Sequence, residues 1–272
     1  MSRTVFTGSE QELCAAFIRE FNKQPGWVCY PETAGFDVLV VHEDGWQIGV
    51  EAKLKLNAKV ADQILPAIWD ERYGFPGPDY RMVIVGAITE ANLGIVKMLE
   101  MLGVSVLTPR SQTDYEAGEF VDSWTFDLRG WLTDSYFRNL AFDWNPAQRC
   151  EVPCVVPDVP AGVPAPLRLT PWKERALKVM VTLRRQGFIT VKQIAEHGIS
   201  ASVWTRGPSP WLVKGEQRGQ WVAGEKLPAF DLQHPEAYAK IAVMLDAALP
   251  LPHGEEECAA AQLPLINDAP AA

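Results

Sequence analysis

The sequence predicts an α/β protein, a mixed sheet with helices on its faces, followed by a small and mainly helical domain. Three observations carry that reading. Short β-branched runs alternate with segments of helical period up to about residue 108. A stretch with prolines at 153, 157, 160, 164, 166 and 171 then interrupts the pattern. Beyond it the period is largely helical and the balance of charge reverses.

The elements follow in order. Ser9 with Glu12 three residues on has the form of a capping box, and Leu13, Phe17, Ile18 and Phe21 make the apolar stripe of a first helix. Pro25-Gly26 ends it, and "WVCY" reads as a short strand. "FDVLVV" and "WQIGVEAKL" read as two strands of a hairpin turning at Asp44-Gly45. "NAKVADQILPAIWDERYG" has a helical pattern with Asn57 as cap and Pro66 as a kink. "RMVIVGAI" is a buried strand, "TEANLGIVKMLEMLG" a helix closed by Gly103, and "VSVL" a last strand. Residues 111–150 are rich in Trp, Phe, Asp and Tyr without a clean period and read as an extension of the first domain, which spans 1–150. Residues 151–171 form a semi-rigid, proline-rich linker.

The second domain, 172–249, opens on a helix with Pro171 in its first turn. Two short helices follow around Gly198, "TVKQIAEHG" and "SASVWTRG". "WLVKGEQRGQWVAG" is a hairpin and "PEAYAKIAVMLDAAL" a closing helix. Three helices and a β-hairpin in this order form a winged helix-turn-helix arrangement. Residues 250–272 lack apolar periodicity and read as a disordered tail.

Composition narrows the class. Hydrophobic residues make up 47% and charged residues 22% of 272, enough to bury two cores. No apolar run reaches the length of a membrane span, and "MSRTVFTGSEQE" lacks the apolar core of a secretory signal. Five cysteines without framework spacing point to a reducing compartment, hence a cytoplasmic protein. Cys150 and Cys154 are the one close pair, and no second pair or histidine spacing accompanies them to hold zinc. The formal net charge is −9, but residues 168–246 hold 12 Lys/Arg against 7 Asp/Glu, a local excess of +5.

The hairpin around Asp44-Gly45 carries the chemistry. Side chains alternate along a strand, so Glu51 and Lys53 share one face while Val50 and Ala52 take the other. Antiparallel pairing brings Asp37 to the same end. Two carboxylates in apolar surroundings repel, and a divalent cation relieves that repulsion. Magnesium suits such a site because it accepts few protein ligands and keeps waters. A neighbouring lysine can then hold or deprotonate an attacking water. The bland alternative is a solvated strand end, which leaves unexplained why the apolar run is broken at these positions.

In this order and spacing, "GSEQEL", "FDVLVV", "GVEAKL" and "ADQIL" resemble the PD-(D/E)XK nuclease superfamily over roughly residues 9–108. The resemblance implies a restriction-endonuclease-like αβββαβ core. It implies Asp37 and Glu51 as ligands of magnesium, with manganese as substitute and the Ala52 carbonyl as a third ligand. It implies Lys53 on the nucleophilic water, Glu10 as an outer or second-metal ligand, and Gln63 as an orienting or DNA-contacting group. Glu10 is selected over Glu12 because it lies in line with Leu13, Phe17 and Phe21. Phe36 stands where the signature has proline, and Ala67 where an exonuclease-like branch has tyrosine, which argues against a processive exonuclease.

For the second domain, a winged-helix template presents Ser202, Thr205 and Arg206 from the recognition helix, Lys214 and Arg218 from the wing, and Arg184 and Arg185 near the turn. Trp204, Trp211 and Trp221 read as core. The expectation is a magnesium-dependent DNA endonuclease, with DNA as partner and a homodimer compatible with cutting two strands. The alternatives are a catalytically silent, nuclease-like DNA-binding or regulatory protein, and a protein-interaction module built on residues 111–150.

Overall fold

The computed structural model describes residues 5–67, 74–116, 119–128, 144, 146–157, 159–162 and 169–247. Helix α1 spans Glu10–Phe21, and its expected cap forms: the Ser9 N–H donates to Glu12 Oε2 at 2.6 Å and the Glu12 N–H to Ser9 Oγ at 3.2 Å. Five strands follow: β1 (Trp27–Pro31), β2 (Val38–His42), β3 (Gln47–Lys55), β4 (Tyr80–Ala87) and β5 (Val104–Leu107). They form one sheet in the order β1-β2-β3-β4-β5. The hairpin side is antiparallel, and β3, β4 and β5 run parallel, so the sheet is mixed as expected. The parallel steps need crossovers, and α2 (Ala58–Ile64) and α3 (Leu93–Met101) supply them.

The alternation of strand residues divides the core into two layers. Val38, Val40, Ile48, Val50 and Ala52 pack with Leu13, Cys14, Phe17 and Phe21 of α1 on one face. Leu39, Val83 and Val85 meet Val60 and Ile64 of α2 and Val96 and Leu99 of α3 on the other. Gly49 lies in the middle of β3 because the Phe36 ring lies across it. A Cβ added there would stand 2.5 Å from that ring.

Two local readings are corrected. Helix α2 ends at Ile64, because a proline disfavours helical geometry in the residue before it and Leu65 is already extended, and residues 68–73 of the expected helix lie outside the described residues. Part of the aperiodic segment is regular: β6 (Arg110–Glu116) and β7 (Glu119–Thr125) form a separate two-stranded antiparallel sheet. Trp124 and Phe126 then pack on the α1 side, Phe126 edge-on to Phe17 with ring centroids 5.5 Å apart. Residues 129–143, part of the linker, and the C-terminal tail lie outside the described residues.

The chain is tied down at the entry to the linker and along the linker where it is described. Gln47 and Cys150 exchange two hydrogen bonds of 2.9 Å, side chain to backbone. Glu174 accepts the Cys154 N–H and thiol at 2.8 Å each and pairs with Lys178 at 2.8 Å. Ala161 is buried in the α1-side core, and the Gly162 N–H donates to Glu32.

The second unit contains α4 (Pro171–Gln186), β8 (Ile189–Thr190), α5 (Val191–Glu196), α6 (Ala201–Thr205), β9 (Leu212–Lys214), β10 (Gln220–Ala223), α7 (Phe230–Gln233) and α8 (Pro235–Ala247). Its three strands pair antiparallel in the order β8-β10-β9. Its core gathers around the fully buried Trp204, with Trp211 edge-on at 5.4 Å. Among the described residues no helix is long and apolar enough to cross a membrane.

The Phe36–Gly49 contact yields a stability test. Gly49→Val should destabilise the chain by about 1–3 kcal/mol through overpacking. Urea unfolding should show a lower midpoint with an unchanged slope.

Candidate active site

The β2–β3 register places Asp37 one step beyond the Val38–Val50 pair, opposite Glu51. Both point away from α1, as does Lys53 two residues further on. Glu51 is 4% exposed, because β3 is covered on both faces at this point. A carboxylate so enclosed needs a partner, and Lys53 provides it. Its Nζ lies 2.9 Å from Glu51, 3.6 Å from Asp37 and 3.8 Å from Glu10, and it donates to the Ala52 carbonyl at 2.7 Å. Asp37 is fixed in turn by the Ala52 N–H, which donates to its Oδ2 at 2.8 Å. Glu10 reaches over from the first turn of α1, where the Leu54 N–H donates to it at 3.4 Å.

The electrostatics follow from that packing. Burial, reinforced by the adjacent Asp37, holds the Glu51 carboxyl above its usual range. Burial opposes the charge on Lys53, but the hydrogen bond to Glu51 and the charges of Asp37, Glu51 and Glu10 outweigh it, and the ammonium is held above its usual range. Lys53 is therefore a firm cation in this arrangement, suited to holding an oxygen in place and poorly suited to removing a proton. Burial, with the charges of Asp37, Glu32 and Glu10, pushes the Cys14 thiol up, consistent with a core cysteine.

The structure thus brings Glu10, Asp37, Glu51 and Lys53 together and aims the Ala52 carbonyl into the cluster. Gln63 is on the exposed side of α2, and among the described residues no hydrogen bond ties it to the cluster. One acidic residue escaped the sequence reading. Glu32 is buried in the β1–β2 loop, its N–H bonded to the Asp37 carbonyl and its carboxylate to Gly162. Glu32 and Ala34 hold φ of 51° and 55°, so the segment leading into Asp37 is strained. The only sequence signal was a Gly-bearing turn just ahead of that strand.

The fit to a hard cation can be tested on the donors. They are oxygens throughout, two carboxylates and a peptide carbonyl converging on one positive charge, which is the chemistry magnesium or manganese takes. Among the described residues no group of three His, Cys, Asp or Glu side chains is arranged to hold a metal ion. The Lys53 ammonium is the positive charge at the centre of this arrangement.

In the second unit the basic residues divide into two groups. Arg184 pairs with the buried Asp231 at 2.7 Å and lies over the Tyr238 ring. Arg185 pairs with Asp246 at 2.8 Å and donates to the Ala242 carbonyl. Both arginines tie α4 to the helices that follow it. Thr205 donates to the Ala201 carbonyl within α6, and Ser202 exchanges a hydrogen bond with Ser200. Arg206, Lys214 and Arg218 are exposed, and among the described residues none forms an ion pair. No protein-family model, curated protein or solved structure matches this chain.

The raised Glu51 generates a prediction. Folding favours its protonated form, so its contribution to stability is complete below the ordinary carboxylate pKa and is lost as pH rises through the raised folded value. Glu51→Gln should accordingly raise the melting temperature by a few degrees at pH 7. In a thermal scan the difference should vanish below about pH 4, where the parent's carboxyl is also neutral.

Proposed function

We propose that this chain is a metal-dependent phosphodiesterase acting on DNA, with a restriction-endonuclease-like core and a winged-helix DNA-binding domain. One observation carries the reading: three carboxylates and a backbone carbonyl converge on Lys53 at one end of β3, with Nζ within 2.9–3.8 Å of Glu51, Asp37 and Glu10. A protein that needed only a stable sheet would gain by filling this place with apolar residues, since a buried ionic cluster adds little stability.

Asp37, Glu51 and the Ala52 carbonyl would hold magnesium, or manganese in its place. When bound, such an ion supplies positive charge that acidifies water and offsets charge on a phosphate. The protein's own groups supply the rest. Lys53, kept charged by its neighbours, positions the attacking water and stabilises the phosphate's developing charge. Glu10 holds Lys53 and the Leu54 backbone, and so sets where the ammonium can reach.

The second unit supports delivery of DNA. The +5 balance of residues 168–246 and the exposed Arg206, Lys214 and Arg218 suit phosphate contact. The strand order β8-β10-β9 with α4, α5 and α6 agrees with a wing after a helix-turn-helix. Arg184 and Arg185, being engaged with Asp231 and Asp246, are weaker candidates for DNA than the sequence suggested.

A silent, DNA-binding scaffold is the second reading, and one observation favours it: Lys53 already neutralises part of the cluster without a metal. Two measurements separate the readings. Incubated with magnesium or manganese, the parent should cut supercoiled, linear or branched DNA, and Asp37→Asn and Lys53→Met should each cut at least about a hundredfold more slowly. Absence of metal-dependent cutting by the parent on all three DNAs would leave the scaffold reading.

The second measurement is binding. Lys53→Met removes the competing ammonium and leaves the carboxylates uncompensated, so it should bind manganese about tenfold or more tightly than the parent in calorimetry. Asp37→Asn should bind more weakly.

A further inference from the structure

The proposed chemistry leaves one buried carboxylate near the site without a role. Glu32 is 4% exposed and holds a φ of 51°, so it bears both a desolvation cost and backbone strain. Both fall on a residue whose contacts join three pieces of chain.

The Glu32 N–H donates to the Asp37 carbonyl at 2.9 Å, which closes the turn between β1 and β2 and fixes the backbone that carries the Asp37 carboxylate. The Glu32 carboxylate accepts the Gly162 N–H from the linker. Gly162 in turn lies on the first turn of α1: a Cβ added to it would stand 3.6 Å from Gln11 Cγ and 3.9 Å from the carbonyl carbon of Glu10. Ala161 beside it is buried in the core that packs on the same helix. The charges of Asp37, Glu32 and Glu10 all bear on the Cys14 thiol, so the three carboxylates lie near one residue of α1.

Support is needed at this point. Helix ends fray, and Glu10 is the first residue of α1. Its contact with Lys53 is the longest of the three, 3.8 Å against 3.6 Å for Asp37 and 2.9 Å for Glu51. A hydrogen bond from a backbone N–H to a carboxylate is among the stronger kinds. Here it clips the linker over the turn that carries Glu10, while the other end of Glu32 holds Asp37.

We propose that Glu32 is a positioning residue: through Gly162 it holds the first turn of α1, and through its backbone it holds Asp37, so that Glu10 and Asp37 keep a fixed spacing about Lys53. The role rests on reading this cluster as a metal-dependent phosphodiesterase site, and adds to it a residue and a linker contact. The reach of the Glu32 side chain carries the role, not its charge.

Three variants of the full chain separate reach from charge. Glu32→Gln is long and neutral, Glu32→Asp short and charged, and Glu32→Asn short and neutral. Aspartate and asparagine accept a positive φ more readily than glutamate, so the turn suits both. Circular dichroism at the assay temperature checks folding, and Glu32→Asn decides alone if Glu32→Asp, with its charge buried, does not fold. By NMR, the Gly162 amide should exchange its hydrogen about tenfold or more faster in the short variants. With magnesium and DNA, their kcat should fall at least about tenfold while the KM for DNA stays within about twofold. Glu32→Gln should match the parent in both measurements.

Faster exchange with an unchanged kcat overturns the proposal, since the clip would then serve stability alone. So does a lower kcat without faster exchange, or a Glu32→Gln that falls as far as Glu32→Asn. A parent that cuts no DNA removes the phosphodiesterase reading and this role with it, and that failure shows in the parent alone.

Discussion

The structure depends on one ammonium group. Glu51 is enclosed at the end of β3, where an unpaired carboxylate would be intolerable, and Asp37 faces it from β2. Lys53 makes this arrangement possible by contacting both, along with the Ala52 carbonyl. The local fold is consistent with that requirement. The hairpin register faces the two carboxylates, the Ser9–Glu12 box sets where α1 begins, and that start puts Glu10 within reach. Burial raises the free energy of the charges, and proximity lowers it by enough to keep Lys53 firmly ionised.

Apolar packing fixes the frame that holds this polar cluster. The α1 layer and the layer of α2 and α3 press on opposite faces of the sheet, and Phe36 locks the start of β2 against Gly49. Asp37 follows Phe36 directly, so a packing contact and a chemical group are adjacent in sequence. The positive φ values at Glu32 and Ala34 show that the chain accepts strain to enter β2 at this point.

Much of this was legible beforehand, for physical reasons. Alternation on β3 told that Glu51 and Lys53 share a face, and the helical stripe chose Glu10 over Glu12. Glu12 is indeed spent on the Ser9 cap, while Glu10 reaches Lys53. What escaped depends on contacts between distant residues. Nothing local in "LRRQ" shows that Arg184 meets Asp231 and Arg185 meets Asp246, because each carboxylate comes from a helix more than forty residues away. The β6–β7 pairing was hidden because its polar and aromatic residues obscure a period of two. Strand β8 is two residues long, too short for any period to register.

The path between the two units has a property of its own. The anchoring groups are the side chains of Gln47, Glu174 and Glu32, which meet backbone at Cys150, Cys154 and Gly162 and, at Cys154, the thiol as well. Peptide N–H and carbonyl groups are common to nearly every residue type. The route of this segment is therefore written partly in the surfaces it crosses, although Val155 and Ala161 are buried and Glu151 pairs with Arg175. Where only its backbone is held, a substitution in the segment leaves its course unchanged, whereas one that shortens Gln47, Glu174 or Glu32 removes a hold on it.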